Sequence, residues 1–354
     1  MFFKKNQDNE LNETCGEQLA EMFDVEIVQA ANWCQVKKGK IQITLPFAAK
    51  TLESALIDKL VAAGINPKKL TINTLITAKN TKVARLDKVK NIIAVASGKG
   101  GVGKSTTSIN LAFALMQEGA KVGILDADIY GPSVPIMLGN PDASPSSEDQ
   151  CNMFPVEAFG LVANSIGYLV PAENATIWRG PMVSGALQQL VSETIWPELD
   201  YLIVDMPPGT GDIQLTLSQQ VPVTAAVVVT TPQDLALADA IKGIAMFEKV
   251  DIPVLGLIEN MSYYQCLNCG HQEHIFAEGG GQKLASKYGV ELLGQLPLDS
   301  RIRQHADDGN PLMIAQSQST LADQYRSTAR AISKQLALNS EIKADNSIAI
   351  KVTS

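Results

Sequence analysis

Long apolar runs, aromatic side chains and a surplus of positive charge are what this 354-residue chain has least of, and each shortage removes a class of protein. No stretch reaches the roughly 18 uninterrupted apolar residues of a membrane span, and Met1-Phe2-Phe3-Lys4-Lys5 runs into polar residues without an apolar signal core, so a cytoplasmic chain with no membrane partner is expected. Basic residues number 29 against 37 acidic ones, a net charge of -8, which gives no general attraction to a phosphate backbone; no specific nucleic-acid partner is expected. Aromatics are only 5 % of the chain beside 26 glycines, a balance that suits an α/β fold with many tight loops. Five cysteines (Cys15, Cys34, Cys151, Cys266, Cys269) are too scattered for a disulfide framework in a reducing compartment, and only the last two are close in sequence.

What is present centres on Gly98-Lys99-Gly100-Gly101-Val102-Gly103-Lys104-Ser105, preceded by the apolar run 91–97 and followed by helical periodicity from Thr106. Strand, glycine loop and helix in that order match G-x-x-x-x-G-K-[ST], the loop whose backbone N–H groups surround the phosphates of a nucleotide. Glycines let the backbone come close, the helix start adds unpaired N–H donors, Lys104 reaches the outer phosphates and the Ser105 hydroxyl is placed for magnesium. The bare pattern arises by chance in about one chain in a hundred of this length, and the flanking elements make an accident rarer. Lys99 is not needed by the pattern; a solvent-facing lysine is its plain explanation.

Acidic residues stand where such a loop needs them. Asp205 ends the strand Tyr201-Leu202-Ile203-Val204 and opens Asp205-Met206-Pro207-Pro208-Gly209-Thr210-Gly211-Asp212, a place from which a carboxylate holds magnesium-bound water while the loop senses the outer phosphate. Asp126 and Asp128 end another strand, and alternation puts both on one side if the strand continues that far, one for magnesium and the other for the attacking water. Helix capping or plain surface acidity is the alternative for these acids.

Cys266-Leu267-Asn268-Cys269-Gly270-His271 has the spacing for two thiolates on one metal centre. Two ligands are half of what zinc or an iron-sulfur cluster asks, and a two-fold dimer would supply the other pair. Zinc, an iron-sulfur cluster, a redox dithiol and no function all remain open on spacing alone. His271 and His274 are near, but one residue between Cys269 and His271 is unlike ordinary finger spacing.

The motifs Gly98–Thr106, Asp126–Ser133, Asp205–Asp212 and Glu259-Asn260-Met261-Ser262, in this order, resemble the Mrp/ApbC family of iron-sulfur cluster carrier ATPases over roughly residues 88 to 336. The resemblance implies a P-loop NTPase fold, ATP bound by Gly98, Lys99, Gly100, Gly101, Val102, Gly103, Lys104, Ser105 and Thr106, and Asn260 beside the adenine. It implies magnesium at Ser105, Asp126 and Asp205, and catalytic roles for Lys99, Lys104 and Asp128. Lys99 resembles the extra lysine of deviant phosphate-loop ATPases that dimerise over nucleotide and reach the partner's phosphates. By the same resemblance a labile [4Fe-4S] cluster bridges two subunits through Cys266 and Cys269. Apoprotein recipients and cluster assembly proteins are then the partners, beside the homodimer. A positioning or partition-type ATPase and an ATPase with a structural zinc bridge are the rival functions.

The expected fold class is α/β, a mostly parallel P-loop sheet over 91–338 with a small α+β domain before it. That domain, 15–78, resembles the MIP18-like module; 1–14 is expected to be flexible, 79–90 a basic linker and 339–354 a flexible tail in which Ile348-Ala349-Ile350 could add an edge strand. Within 15–78 the patterns suggest a helix at Gln18–Phe23, strands at Glu26–Trp33, Lys40–Phe47 and Leu70–Ile76, and a helix at Leu52–Ala63.

Overall fold

Alternation writes the small sheet. In Lys40–Leu45 the buried residues are Ile41, Ile43 and Leu45, and the residues between them face outward. A computed structural model describes residues 2–81, 86–148, 151–169, 180–339 and 342, and it divides into two units, Met1–Ile76 with Gln117–Gly119, and the remainder. The first unit pairs β1 (Cys34–Lys37) antiparallel to β2 (Lys40–Leu45), and β2 parallel to β3 (Leu70–Thr74). The β2 to β3 crossover carries the helix Glu53–Ala62, which buries Leu56 and Leu60. Phe23, Trp33 and Phe47 meet edge to face with ring centroids 5.1 to 6.1 Å apart, the favoured geometry for aromatic quadrupoles.

Phe2–Phe23 is one helix, which includes the helix expected at Gln18–Phe23 and begins within the segment expected to be flexible. One expectation for this unit is corrected. The Glu26–Trp33 segment, read as a strand, holds the helix Ile27–Ala31 instead. Ile27 and Val28 satisfy strand propensity, yet both are exposed; the buried residue is Ala30. Gly16 lets Ala31 come so close that a Cβ on Gly16 would lie 3.1 Å from the Ala31 Cβ, and this helix-to-helix contact overrides local preference.

The larger unit is built on strands without alternation, the mark of a sheet covered on both faces. Its strands are β4 (Val89–Ala96), β5 (Val122–Asp126), β6 (Val156–Ala158), β7 (Leu161–Ser165), β8 (Leu199–Asp205), β9 (Ala225–Thr230), β10 (Val254–Glu259), the pair β11 (Tyr264–Gln265) and β12 (Gln272–Glu273), and β13 (Glu291–Gln295). Eight of them form one sheet in the order β13-β10-β9-β4-β8-β5-β7-β6, parallel except for β6 against β7. The chain leaves β4 toward β5 on one side and later fills the other side with β9 and β10. The carboxyl end of β4 is therefore a topological switch point, where open α/β sheets bind ligands. Burial of Ile92, Ile93, Leu202, Val204 and Val228 contributes about 1.5–3 kcal/mol for each large side chain.

The stretch read as a linker is anchored in this unit at both ends. The Lys79 N–H donates to Asn91 Oδ1 at 3.1 Å, Lys79 Nζ donates to the Ala337 carbonyl at 2.9 Å, and Val89 and Lys90 already belong to β4. Burial lowers the pKa of Lys79. The expected edge strand Ile348-Ala349-Ile350 lies outside the described residues, and Thr320–Leu338 forms the closing helix.

Candidate nucleotide site and cysteine hairpin

Four strand ends supply the site. After β4 the chain makes the glycine loop and enters the helix Lys104–Gln117; Gly101 and Gly103 have φ of 82° and 79°, the left-handed region that favours glycine. A Cβ on Gly103 would lie 2.3 Å from Asn260 Nδ2, so the loop's last glycine is what admits that amide. A Cβ on Gly100 or Gly101 would meet nothing within 4 Å, which leaves their backbone open to a ligand.

Lys104 and Asp205 form the charged centre. Lys104 Nζ lies 2.8 Å from Asp205 Oδ1, with side chains 6 % and 0 % exposed, and also donates to Ser105 Oγ at 3.1 Å. Ser108, one helical turn after Lys104, donates to the same Asp205 oxygen at 2.6 Å. Asp205 Oδ2 is buried with no hydrogen-bond partner among the described residues. An unpartnered buried carboxylate oxygen next to a serine hydroxyl suits magnesium, a hard cation that takes one or two protein oxygens and fills its shell with phosphate and water. Asp205 keeps one oxygen available to such a cation, and the Ser105 hydroxyl meets the same centre through Lys104 Nζ.

Asp126 is used differently. Its Oδ1 accepts from the Asp128 N–H, and its Oδ2 accepts from the Ser133 and Val134 N–H groups and from Ser165 Oγ, all at 3.0 to 3.1 Å. Both oxygens thus organise the loop after β5. Burial, and then the neighbouring Asp205, push its pKa up to about 7. The strand stops at Asp126, so Asp128 is placed by the turn that brings its N–H back to Asp126 and not by strand alternation. Burial raises the Asp128 pKa while Lys104 opposes it. The second acidic loop touches the phosphate loop: the Gly209 N–H donates to the Ser97 carbonyl at 2.9 Å, beside Gly98.

Asn260 is 7 % exposed and donates from Nδ2 to the Val102 carbonyl at 2.8 Å. It borders a cavity of about 360 Å³ reached by Gly103, Thr106, Met137, Leu298 and Ile302. This mostly apolar slot lies next to the phosphate loop. Arg303, in the cavity's rim, pairs with Asp307, and Arg301 with its capping residue Asp299. Lys99 is half-buried and makes no ion pair among the described residues. Sequence reasoning passed over Ser108, although its i, i+4 spacing from Lys104 puts both on one helix face.

The cysteine pair is not part of this cluster. Cys266 and Cys269 sit in the turn between β11 and β12, where the Cys266 N–H donates to the His271 carbonyl at 2.9 Å and the Gly270 N–H to the Cys266 carbonyl at 2.8 Å. Gly270 takes φ of 73° to close the turn. The Cys269 and Asn268 N–H groups, then the Cys269 thiol, hydrogen-bond the Cys266 sulfur and hold its pKa below the usual thiol value, favouring the thiolate that binds metal. His274 points elsewhere, its Nδ1 3.0 Å from the Ser262 carbonyl. Among the described residues no cluster of three or more His, Cys, Asp or Glu forms a metal site, so the pair stands as two ligands. Cys15 and Cys34, far apart in sequence, are buried and hydrogen-bonded to each other, which lowers the pKa of the first and raises that of the second.

A parallel sheet with a glycine loop at its switch point, a buried lysine-aspartate pair and a base-sized slot define a P-loop nucleotide-binding protein. The sequence matches the NUBPL iron-transfer P-loop NTPase profile of the ParA group over residues 88–333. The chain belongs to this family, of which the Mrp/ApbC proteins are members. It is 61 % identical over 254 residues to the iron-sulfur cluster carrier protein of Salmonella typhimurium, covering 72 % of this chain and 69 % of that one. It is 54 % identical over 317 residues to the Haemophilus influenzae iron-sulfur cluster carrier protein, covering 85 % of each. Among solved structures, a nucleotide-binding protein from Archaeoglobus fulgidus in complex with ADP is 39 % identical with a TM-score of 0.59, over 67 % of this chain and 92 % of that one. The Pyrococcus furiosus cell division ATPase MinD, 22 % identical with a TM-score of 0.53 over 69 % of this chain and 98 % of that one, shares the fold.

Proposed function

We propose that this chain is a cytoplasmic, ATP-dependent carrier of iron-sulfur clusters that works as a homodimer. The observation that carries the reading is the two-thiolate hairpin, with an activated Cys266, grown from the segment that borders the nucleotide slot. Two hairpins related by a two-fold axis offer four thiolates, the ligand set of a [4Fe-4S] cargo. Family membership and the names of the relatives support iron over zinc.

In this reading Gly98–Thr106 cradle the phosphates of ATP, and Lys104 leaves Asp205 for the outer phosphates as they arrive. Ser105 and Asp205 hold magnesium, with Asp126 keeping the first acidic loop in place beside it. Bound magnesium supplies neutralisation of charge on the outer phosphates. Asp128 orients the attacking water, since phosphoryl transfer needs an in-line oxygen more than a strong base. Lys99 reaches the partner's phosphates, and the Ser97 to Gly209 contact passes loop movement between the two phosphate-facing segments. Apoproteins receive the cluster, and assembly proteins load it.

Anaerobic reconstitution with iron and sulfide tests the cargo. About four iron and four sulfide per dimer and a broad absorption near roughly 400 nm are expected. The C266A/C269A double variant should lose both and still bind ATP by calorimetry. Stoichiometric zinc with no reconstitutable iron or sulfide, or a full cluster on the double variant, overturns the assignment.

A further inference from the structure

Glu259 is a buried acid that the nucleotide chemistry leaves unused. It is fully buried at the end of β10, yet no cation faces it among the described residues. Its partners are neutral donors from three elements: Ser262 Oγ at 2.6 Å and Gln295 Nε2 at 2.9 Å on Oε1, and the Gly281 N–H at 2.5 Å on Oε2. Gln295 Nε2 also donates to Ser262 Oγ at 3.1 Å, which closes a three-membered ring of bonds. Gly281 is shaped for this acid, for a Cβ there would lie 2.7 Å from Glu259 Oε2. Burying a carboxylate is costly, and one held only by neutral groups gains least from electrostatics. Such a group is retained where it fixes geometry.

The geometry it fixes lies between the two functional parts. On one side is Asn260, the next residue, bonded to the Val102 carbonyl inside the phosphate loop and to the Thr230 carbonyl through its own N–H at 2.8 Å. On the other side is Ser262, whose hydroxyl bonds Glu259 and whose carbonyl lies 3.0 Å from His274 Nδ1. His274 immediately follows β12, and Tyr263 immediately precedes β11, so both legs of the cysteine hairpin are rooted at this point. Tyr263 is tied in turn, its carbonyl accepting from the Leu298 N–H at 2.7 Å, where Leu298 borders the nucleotide slot.

We propose that Glu259 is a positioning residue that makes the Asn260 amide and the root of the cysteine hairpin one rigid body, so that nucleotide at the phosphate loop is registered at Cys266 and Cys269. This rests on nucleotide binding at the loop and deepens the carrier reading, but it does not depend on which metal the thiols hold.

The test therefore uses metal-free full-length protein. In a C151S background the accessible thiols are Cys266 and Cys269, because Cys15 and Cys34 are buried. Their reaction with a chromogenic aryl disulfide is timed with and without a slowly hydrolysed ATP analogue and magnesium. The nucleotide should change the rate by at least about fivefold in the parent protein, the lower end of ordinary coupling between sites. In E259Q, and separately in S262A, that ratio should fall to within about twofold of unity, with analogue affinity by calorimetry kept within about threefold. S262A removes one hydroxyl and decides the matter if E259Q does not fold. A purely structural staple would lower the melting temperature and leave the ratio intact; that outcome, or a parent protein whose thiols ignore bound nucleotide, overturns the proposal. Failure of reconstitution to deliver iron and sulfide would overturn the carrier reading alone.

Discussion

Replacing Lys104 with alanine is the direct way to empty the phosphate loop, and the structure says that it costs stability as well as affinity. Lys104 is the cation within ion-pair distance of a carboxylate that is 0 % exposed, and Nζ to Oδ1 is 2.8 Å. Asp205 already has one buried oxygen without a partner, and after the substitution its other oxygen keeps the Ser108 hydroxyl. Removing one member of a buried pair leaves an uncompensated charge, typically about 3–5 kcal/mol. Against a usual domain stability of about 5–15 kcal/mol the variant stays folded at low temperature, but its melting temperature drops by roughly 6–20 °C, given about 2–4 °C per kcal/mol for a unit of this size. A K104A/D205N double variant removes the orphaned charge too and should recover about 2 kcal/mol or more of that loss. Urea unfolding of nucleotide-free wild type, K104A, D205N and the double variant closes the cycle. A K104A protein within about 1 kcal/mol of wild type, or a double variant no more stable than K104A, refutes the reasoning. Calorimetry with ATP and magnesium, run below the variant's midpoint, should then show binding lost in K104A for electrostatic and not for folding reasons.

Asp126 gives a pH signature. Its folded pKa, pushed up to about 7, lies above the unfolded value of about 3.9, so the folded protein holds this proton more tightly. The associated stability is full below about pH 4 and lost as pH rises through about 7. The urea-derived stability of nucleotide-free wild type relative to D126N should fall between about pH 4 and about pH 7 and level off above it; a constant or growing advantage would contradict the assignment. For Lys99, K99A should leave the nucleotide-free protein as stable as wild type and weaken analogue-dependent dimerisation about tenfold or more, the loss of one charge-assisted contact. Sedimentation with and without the analogue checks this, and an unchanged dimer fraction counts against the cross-subunit role.

The large sheet was legible because β4, β5, β8 and β10 are short apolar runs that end in motif residues, so that pattern and chemistry marked the same boundaries. Asp205 and Lys104 were legible for a related reason, since a glycine loop without its acid would be half a site. The bonds that Asp126 makes were not legible: nothing in the spacing says that the Asp128 N–H will take one of its oxygens and Ser133, Val134 and Ser165 the other, because Ser165 arrives from a strand 39 residues away. Ile27–Ala31 misled because β-branched residues were read as strand when the decisive contact was Ala31 against Gly16. Cys15 and Cys34 escaped notice for want of sequence proximity, and only the packing of a helix on a strand reveals them as neighbours. Glu259 looked like one letter of a motif, and its three donors come from separate elements.

The cysteine hairpin has two strands of two residues each, and its thiols are set by backbone bonds around Gly270 with little packed side-chain mass about them. A rigid four-ligand cage selects its metal by size and angle; two thiolates on a short exposed turn impose neither. Such a site accepts whichever thiophilic ion arrives first, zinc as readily as iron. Fidelity of loading then belongs to the supply, through the donor that presents a ready-built cluster and the low concentration of free competing metal. In the proposed dimer half of the ligand shell would depart when the subunits part, so release would need no bond to be pulled from a closed cage. The same openness that makes the chain a poor judge of metals makes it a good courier.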